Sequence, residues 1–255
     1  MARQCNGTSD LLTSASALSL NGVQTFALSF WLYHTNAYDT ADHFAFQYGI
    51  DAPTGSRIRF FMDPDYFTGN GVHLSLLQGS AAGASVCDFT QPSSAAWHHF
   101  VINVDMTQSI SSWFPSVYVD AVSQTLNNTN AVAATSLDNE TLYVGADGAS
   151  STNFLACQLA DWAIYSGINL SQTDATNLHN GNLPPTVQGG SLVYYWKICG
   201  AASPEPAAVG GINLTVTGTI QTNHPSAITA SCAAGPTLGL VHATSYATRL
   251  NYPPG

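Results

Sequence analysis

The stretch FALSFWLYH, residues 26–34, alternates without a break, and this constrains the fold more than any other feature of the chain. Phe26, Leu28, Phe30 and Leu32 fall on one side, and Ala27, Ser29, Trp31 and Tyr33 on the other. A period of two belongs to a β-strand, because successive side chains point to opposite faces. The pattern returns in SRIRFFMD, where Ile58, Phe60 and Met62 oppose Arg57, Arg59 and Phe61. In GVHLSLL it sets Val72, Leu74 and Leu76 against His73 and Ser75. Shorter runs (SVYVDAV, ETLYVGA, SLVYYWKIC, INLTVTGTI) and one long one (FLACQLADWAIYS, expected to bend) add further strands. Clusters of Gly, Pro, Asn and Asp separate them, as in DAPTGS and GNLPPTVQGG. About a dozen short strands with turns between them predict a β-sandwich or barrel.

One segment departs from this rhythm. In NLSQTDATNLHNGN, Ser171 stands as an N-cap with Asp174 three residues on, and Asn180-Gly181 supplies a stop. The spacing predicts one helix over 172–179. From about His224 the periodicity fades, so the chain divides into a sandwich over 1–223 and an extended C-terminal arm over 224–255. The arm carries Tyr246, Arg249 and Tyr252, residue types favoured at binding hot spots, and these three are the expected interaction residues.

Composition narrows the function. Charged residues make up 8% of the 255, against roughly 25% in an average soluble protein. The net charge is −10, and only five cations are scattered along the chain, which argues against nucleic acid. No apolar run is long enough for a membrane span, and the N-terminus lacks the apolar stretch of a secretory signal. The five cysteines are widely spaced with no C-x-x-C, so buried free thiols are expected rather than disulfides or a zinc site.

Residues 94–108, SAAWHHFVINVDMTQ, hold two adjacent histidines. Alternation places His98, Phe100, Ile102 and Val104 on one face, and Trp97, His99, Val101, Asn103 and Asp105 on the other. The two rings therefore point apart, and no histidine metal site is expected; both are read as hydrogen-bonding imidazoles at a strand start. Trp97, opening that strand, is expected to pack. The loop GADGASSTN offers Asp147 and Asn153 to calcium, which takes several oxygen ligands, but a plain Asp-Gly turn is the preferred reading.

No catalytic residues are assigned. Retaining glycoside hydrolysis needs two carboxyls about 5–5.5 Å apart. The two glutamates, Glu140 and Glu205, are distant in sequence, and Asp63 and Asp65 sit in a Pro-containing turn. There is no G-x-S-x-G, P-loop or G-x-G-x-x-G. Removing either glutamate is expected to leave any function unchanged.

The ordered motifs resemble the concanavalin A-like lectin/glucanase superfamily, in its laminin-G or pentraxin-like branch. The branch runs through a W-H-h strand, an hYVDG strand, an hhIG strand, an F-x-G-x-hDxhxhY run and an LS-x-x-E helix. Here Trp97, His98, Tyr118, Val119, Asp120, Gly145, Asp161, Tyr165, Leu170 and Ser171 match, over about residues 22–200. Ala121 and Cys157 stand where the pattern has Gly, and Asp174 stands where it has Glu. The resemblance implies an all-β jelly-roll of two antiparallel sheets. The opening segment and residues 192–218 are also similar to proteins of tailed phages and environmental bacteria.

Two functions follow as expectations. The first is a non-enzymatic virion structural or decoration protein, binding capsid protein or copies of itself and also host glycans. The second is a soluble carbohydrate-binding module, for which Tyr38, Tyr66 and Phe67 are candidate exposed aromatics. Neither requires a cofactor, and both place the chain on a virion or outside a cell.

Overall fold

The computed structural model describes residues 2–35, 43–49, 56–63, 71–78, 85–109, 112–129, 136–148, 153–200, 203–223 and 225–228. Two antiparallel sheets face each other. The first contains β1 (Ala2–Asn6), β3 (Thr25–His34), β8 (Trp97–Asp105), β9 (Val117–Val119), β10 (Val122–Ser123), β13 (Ala156–Ser166), β14 (Leu192–Trp196), β15 (Ala207–Val209) and β17 (Ile220–Thr222). The second contains β2 (Leu11–Ser14), β4 (His43–Tyr48), β5 (Ser56–Asp63), β6 (Gly71–Gln78), β7 (Ser85–Thr90), β11 (Asn127–Thr129), β12 (Leu142–Val144) and β16 (Leu214–Thr217). The order across the second sheet is β11-β7-β6-β5-β4-β12-β2-β16. Among the described residues, no helix is long and apolar enough to cross a membrane.

The alternation fixes which face each strand buries. Phe26, Phe30, Leu32, Ile58, Phe60, Leu74, Phe100 and Ile102 all join the central core. Phe30 stacks on Trp162 at 4.5 Å and on Phe100 at 5.3 Å, and meets the edges of Phe46 and Phe60 from the facing sheet. Burying each such ring contributes about 1.5–3 kcal/mol.

The expected bend in β13 is a bulge. Leu159 and Trp162 both face the core, although three residues apart would normally put them on opposite sides. Asp161, at φ 48°, is the extra residue that shifts the phase. It also divides one edge of β13. Residues 156–159 pair with β1, and residues 162–165 pair with β14.

Helix α1 (Gln172–His179) forms with the expected bounds. Ser171 Oγ accepts from the Asp174 N–H at 3.2 Å, and Asp174 accepts from the Ser171 N–H at 2.9 Å. The helix lays Ala175 and Leu178 over the outer face of the first sheet, against Ala27, Val101, Ala163 and Tyr165.

One expectation needs correction. Cys5, Cys87 and Cys157 are buried free thiols as expected, but Cys199 is disulfide-bonded; wide spacing in sequence does not limit pairing in space. Trp97 is only partly buried, beside Tyr33 and the Trp31 cluster, because it lies on the outer face near the sheet end. Glu205 is 3% exposed, accepts from Arg3 Nε at 3.0 Å and from the Gly200 N–H. Losing it would leave a buried guanidinium without its carboxylate. At the sandwich–arm boundary, Ser226–Ile228 forms a 3-10 turn whose Ala227 packs on Ala2, Trp31 and Ala160. The remainder of the arm, with Tyr246, Arg249 and Tyr252, lies outside the described residues, as do Tyr38, Asp65, Tyr66 and Phe67.

Candidate functional site

At one end of the sandwich three turns converge. They are the entry to β3, the exit from β8 and the exit from β13. The Met106 N–H donates to the Gln24 carbonyl at 2.9 Å, and the Gly167 N–H to the Thr25 carbonyl at 2.8 Å. Between them lies an open groove of about 370 Å³, lined by Asn21, Gly22, Val23, Gln24, Thr25, Thr107, Ser166 and Gly167. Gly22 and Gly167 have φ of 81° and 77°, the left-handed region glycine tolerates, and neither has an atom within 4 Å of where a Cβ would sit. The lining is thus hydroxyl, amide and bare backbone, with Val23 as its apolar element. Both donors and acceptors are present, as a polyhydroxylated ligand needs.

The carboxylate beside this groove is tied to two of the residues that line it. Asp105 accepts from Thr25 Oγ1 at 3.2 Å, the Thr107 N–H at 3.0 Å, Thr107 Oγ1 at 2.5 Å and Gln108 Nε2 at 3.2 Å. Partial burial pushes its pKa up, but these bonds outweigh that and hold it below the usual value. Behind Asn21 runs a second acidic segment, since Asn139 Oδ1 accepts the Asn21 N–H at 2.8 Å. There burial, then the charge of Asp138, pushes Glu140 up. A D-x-E spacing that sequence reading passed over therefore brings two carboxylates near one another. Neither lines the groove.

The paired histidines diverge as expected and still share one partner. His98 Nδ1 donates to Asp120 Oδ2 at 2.6 Å, while the His99 backbone N–H donates to Asp120 Oδ1 at 2.9 Å. His98 Nε2 lies 3.0 Å from the Ser93 carbonyl and 3.2 Å from Ser93 Oγ. Serine, histidine and aspartate thus line up in the order of a hydrolytic triad. The carbonyl, however, can only accept, so whenever Nε2 donates to it the ring carries protons on both nitrogens. The bond to Asp120 raises the His98 pKa, consistent with that state. An imidazolium cannot take a proton from Ser93. The arrangement is a polar bolt at the sheet edge. His99 is the contrast: its ring is buried against Trp31, 3.0 Å from Ser29 Oγ, and burial lowers its pKa to about 3.

The outer face of the second sheet carries a row of polar side chains. Ser75, Arg59, Gln47, Tyr143, Thr13 and Thr215 fall in one cross-strand row. Gln47 and Ser75 are buried. Gln47 donates to the Gly49 carbonyl at 2.7 Å and accepts from Arg59 Nε at 3.3 Å, and the Arg59 guanidinium lies over the Phe44 ring. Arg57 is also on this face; burial and then Arg59 lower its pKa to about 10, with Asp147 acting the other way. Asp147 is buried, and Asn153 takes a φ of 54°, its carbonyl accepting from the Phe44 N–H. Among the described residues, no group of three His, Cys, Asp or Glu converges as metal ligands.

No curated protein matches the chain. Among solved structures, it is similar to the heptameric SAP-like pentraxin of Limulus polyphemus, with 10% identity, a TM-score of 0.49, and coverage of 72% of this chain and 83% of that one. Tailspike protein 2 of Escherichia coli O157:H7 bacteriophage CAB120 gives 11% identity and a TM-score of 0.48, over 77% of this chain and 26% of the tailspike. The binding domain of botulinum neurotoxin DC in complex with SialylT gives 14% and 0.40, over 62% and 35%. The sequence match is the decisive one. Residues 6–175 fit the Laminin_G_3 model, and the chain belongs to that family within the concanavalin A-like lectin/glucanases superfamily.

Proposed function

We propose that the chain is a non-enzymatic, lectin-like recognition domain of a virion, and that the rim groove takes a neutral glycan. The observation that carries this is the lining: hydroxyl, amide and backbone groups, with the adjacent Asp105 tied into its own turn. A sugar hydroxyl can exchange its water hydrogen bonds for these at little cost. An anionic sugar would face Asp105 with no cation in the lining. The virion setting is supported by a surface poor in Lys and Glu, which protein contacts favour. The Cys199 disulfide suits oxidising surroundings. In that setting, the arm over 224–255 would hold the domain to a neighbouring copy or to capsid protein.

Titrating the full chain against an array of neutral and acidic glycans tests the reading. A neutral glycan should bind, and Asn21→Ala or Thr107→Trp should weaken it at least tenfold, about 1.4 kcal/mol. Arg59→Ala should leave it unchanged. Glycan hydrolysis that disappears in Glu140→Gln would replace this reading with an enzymatic one. The soluble-module reading is favoured by the groove being complete within one copy; a glycan-binding chain that stays monomeric with the arm intact would select it.

A further inference from the structure

We propose that Cys5 and Cys157 are the site of a reversible cross-strand disulfide that pins the first strand to the longest one. β1 and β13 are antiparallel, and their register sets Cys5 directly opposite Cys157. Opposed residues in such a pair have Cα atoms about 4.5–5.5 Å apart. A disulfide needs roughly 4.4–6.8 Å, so no backbone movement is required. Both side chains turn into the core, 1% and 2% exposed, and the two thiols are in hydrogen-bond contact. Gly145 lies against them, where a Cβ would come within 2.9 Å of Cys5 Sγ, so glycine keeps the space the sulfurs occupy.

The oxidant is a low-molecular-weight disulfide. One cysteine thiolate attacks it, forming a mixed disulfide and releasing one small thiol. The second cysteine thiolate then attacks the protein sulfur of that mixed disulfide. The Cys5–Cys157 bond forms, and the second small thiol leaves. Two electrons pass to the reagent, and the two protons lost by the cysteines end on the released thiols. In the folded chain, contact with Cys5 and then burial push the Cys157 thiol up, so little thiolate exists. The exchange therefore runs while β1 is lifted from β13, during folding or on local opening. β1 is the element to open, being five residues long and held on its other edge by only three residues of β17.

Cys87 serves as an internal control, because it is buried in β7 of the other sheet. The wild-type chain is refolded from urea in mixed reduced and oxidised glutathione, then digested without reduction and mapped by mass spectrometry. The expected product links the Cys5 peptide to the Cys157 peptide and leaves Cys87 as a thiol. That material should melt several degrees higher than Cys5→Ser refolded in the same glutathione mixture, which keeps the Cys199 disulfide common to both. Should Cys5 and Cys157 both be recovered as thiols, or only as glutathione adducts, the proposal is overturned. Mapping on the wild-type chain keeps the test independent of whether Cys5→Ser folds.

Discussion

Both sheets bury residues on their outer faces, but by opposite chemistry. On the first sheet Ala27, Val101, Ala163 and Tyr165 meet Ala175 and Leu178 of α1, and Trp31 meets Ala2 and Ala160. On the second, Gln47, Arg57, Ser75 and Asp88 are buried. The first face gains free energy with area, at about 25 cal/mol per Å² of apolar surface. The second gains little, because each polar group exchanges bonds to water for bonds to protein. What a substitution does should therefore differ in kind: loss of contact on one face, an orphaned partner on the other.

The largest test breaks the apolar side. Trp31 is 4% exposed and packs against the rings of His99 at 5.1 Å and His179 at 5.4 Å. Trp31→Ala should cost about 3–5 kcal/mol, read as a loss in urea unfolding at constant m-value. Trp97→Ala should cost clearly less, since that indole is partly exposed. Equal losses would mean that burial does not separate the two positions.

A smaller effect is expected on the polar side. Gln47→Ala removes little apolar contact but deprives the Gly49 carbonyl of its donor and Arg59 Nε of an acceptor. The expected loss is about 1–3 kcal/mol. Gln47→Met, similar in volume but with no amide, should lose nearly as much. If Gln47→Met restores wild-type stability, packing and not hydrogen bonding holds this face.

The two histidines sharpen the contrast through pH. The unfolded imidazole titrates near 6.5. His99 has its pKa lowered to about 3 by burial and then by the nearby His179, with Asp120 acting the other way. As pH falls from about 6.5 toward 3, the unfolded chain binds a proton the folded chain refuses, and stability is lost. His98 is raised by Asp120, so its contribution is fully present below the unfolded value and disappears as pH rises through its folded pKa. His98→Gln should thus be more damaging at pH 5 than at pH 8, and His99→Gln the reverse. Melting curves of both variants at the two pH values decide it; the same trend in both would refute the assignment.

Much of this was legible in the sequence because burial and alternation share a period. The core faces of β3, β5, β6 and β8 follow from it, and the cap of α1 follows from Ser171 and Asp174. The divergence of His98 and His99 also follows, though not their shared partner. That partner, Asp120, is 21 residues from His99 and reaches it across a sheet register no local pattern encodes. The groove is likewise built from three turns, over 21–25, at 107 and at 166–167, unremarkable one by one. The burial of Gln47 was hidden for a related reason: alternation says which way a side chain points, not whether anything covers it. The facing of Cys5 and Cys157 depends on how β1 meets β13, and the bulge at Asp161 lets that edge serve two strands.

The smallest prediction concerns the turn that delivers Asp120 to the first sheet's edge. Val119 pairs with Val122, and the two residues between them, Asp120 and Ala121, have φ of 51° and 63°. A two-residue hairpin with both φ positive is the turn for which Asp-Gly is preferred. Alanine in that region is strained by about 1–2 kcal/mol, while glycine there is not. Glycine also makes the unfolded chain more flexible, which offsets about 0.5–1 kcal/mol of the relief. Ala121→Gly should therefore stabilise the protein by about 0.5–1 kcal/mol net, raising the melting temperature by roughly 1–4 °C. The bolt from Asp120 to His98 should survive, since Ala121 contributes to it no side-chain bond, and the opposite pH trends of His98→Gln and His99→Gln should persist in the Ala121→Gly background. Ala121→Val should move the melting temperature the other way, because a β-branched side chain fits positive φ worst. A fall in melting temperature for Ala121→Gly would show that the alanine methyl packs usefully where it stands, and that the turn is not a point of strain.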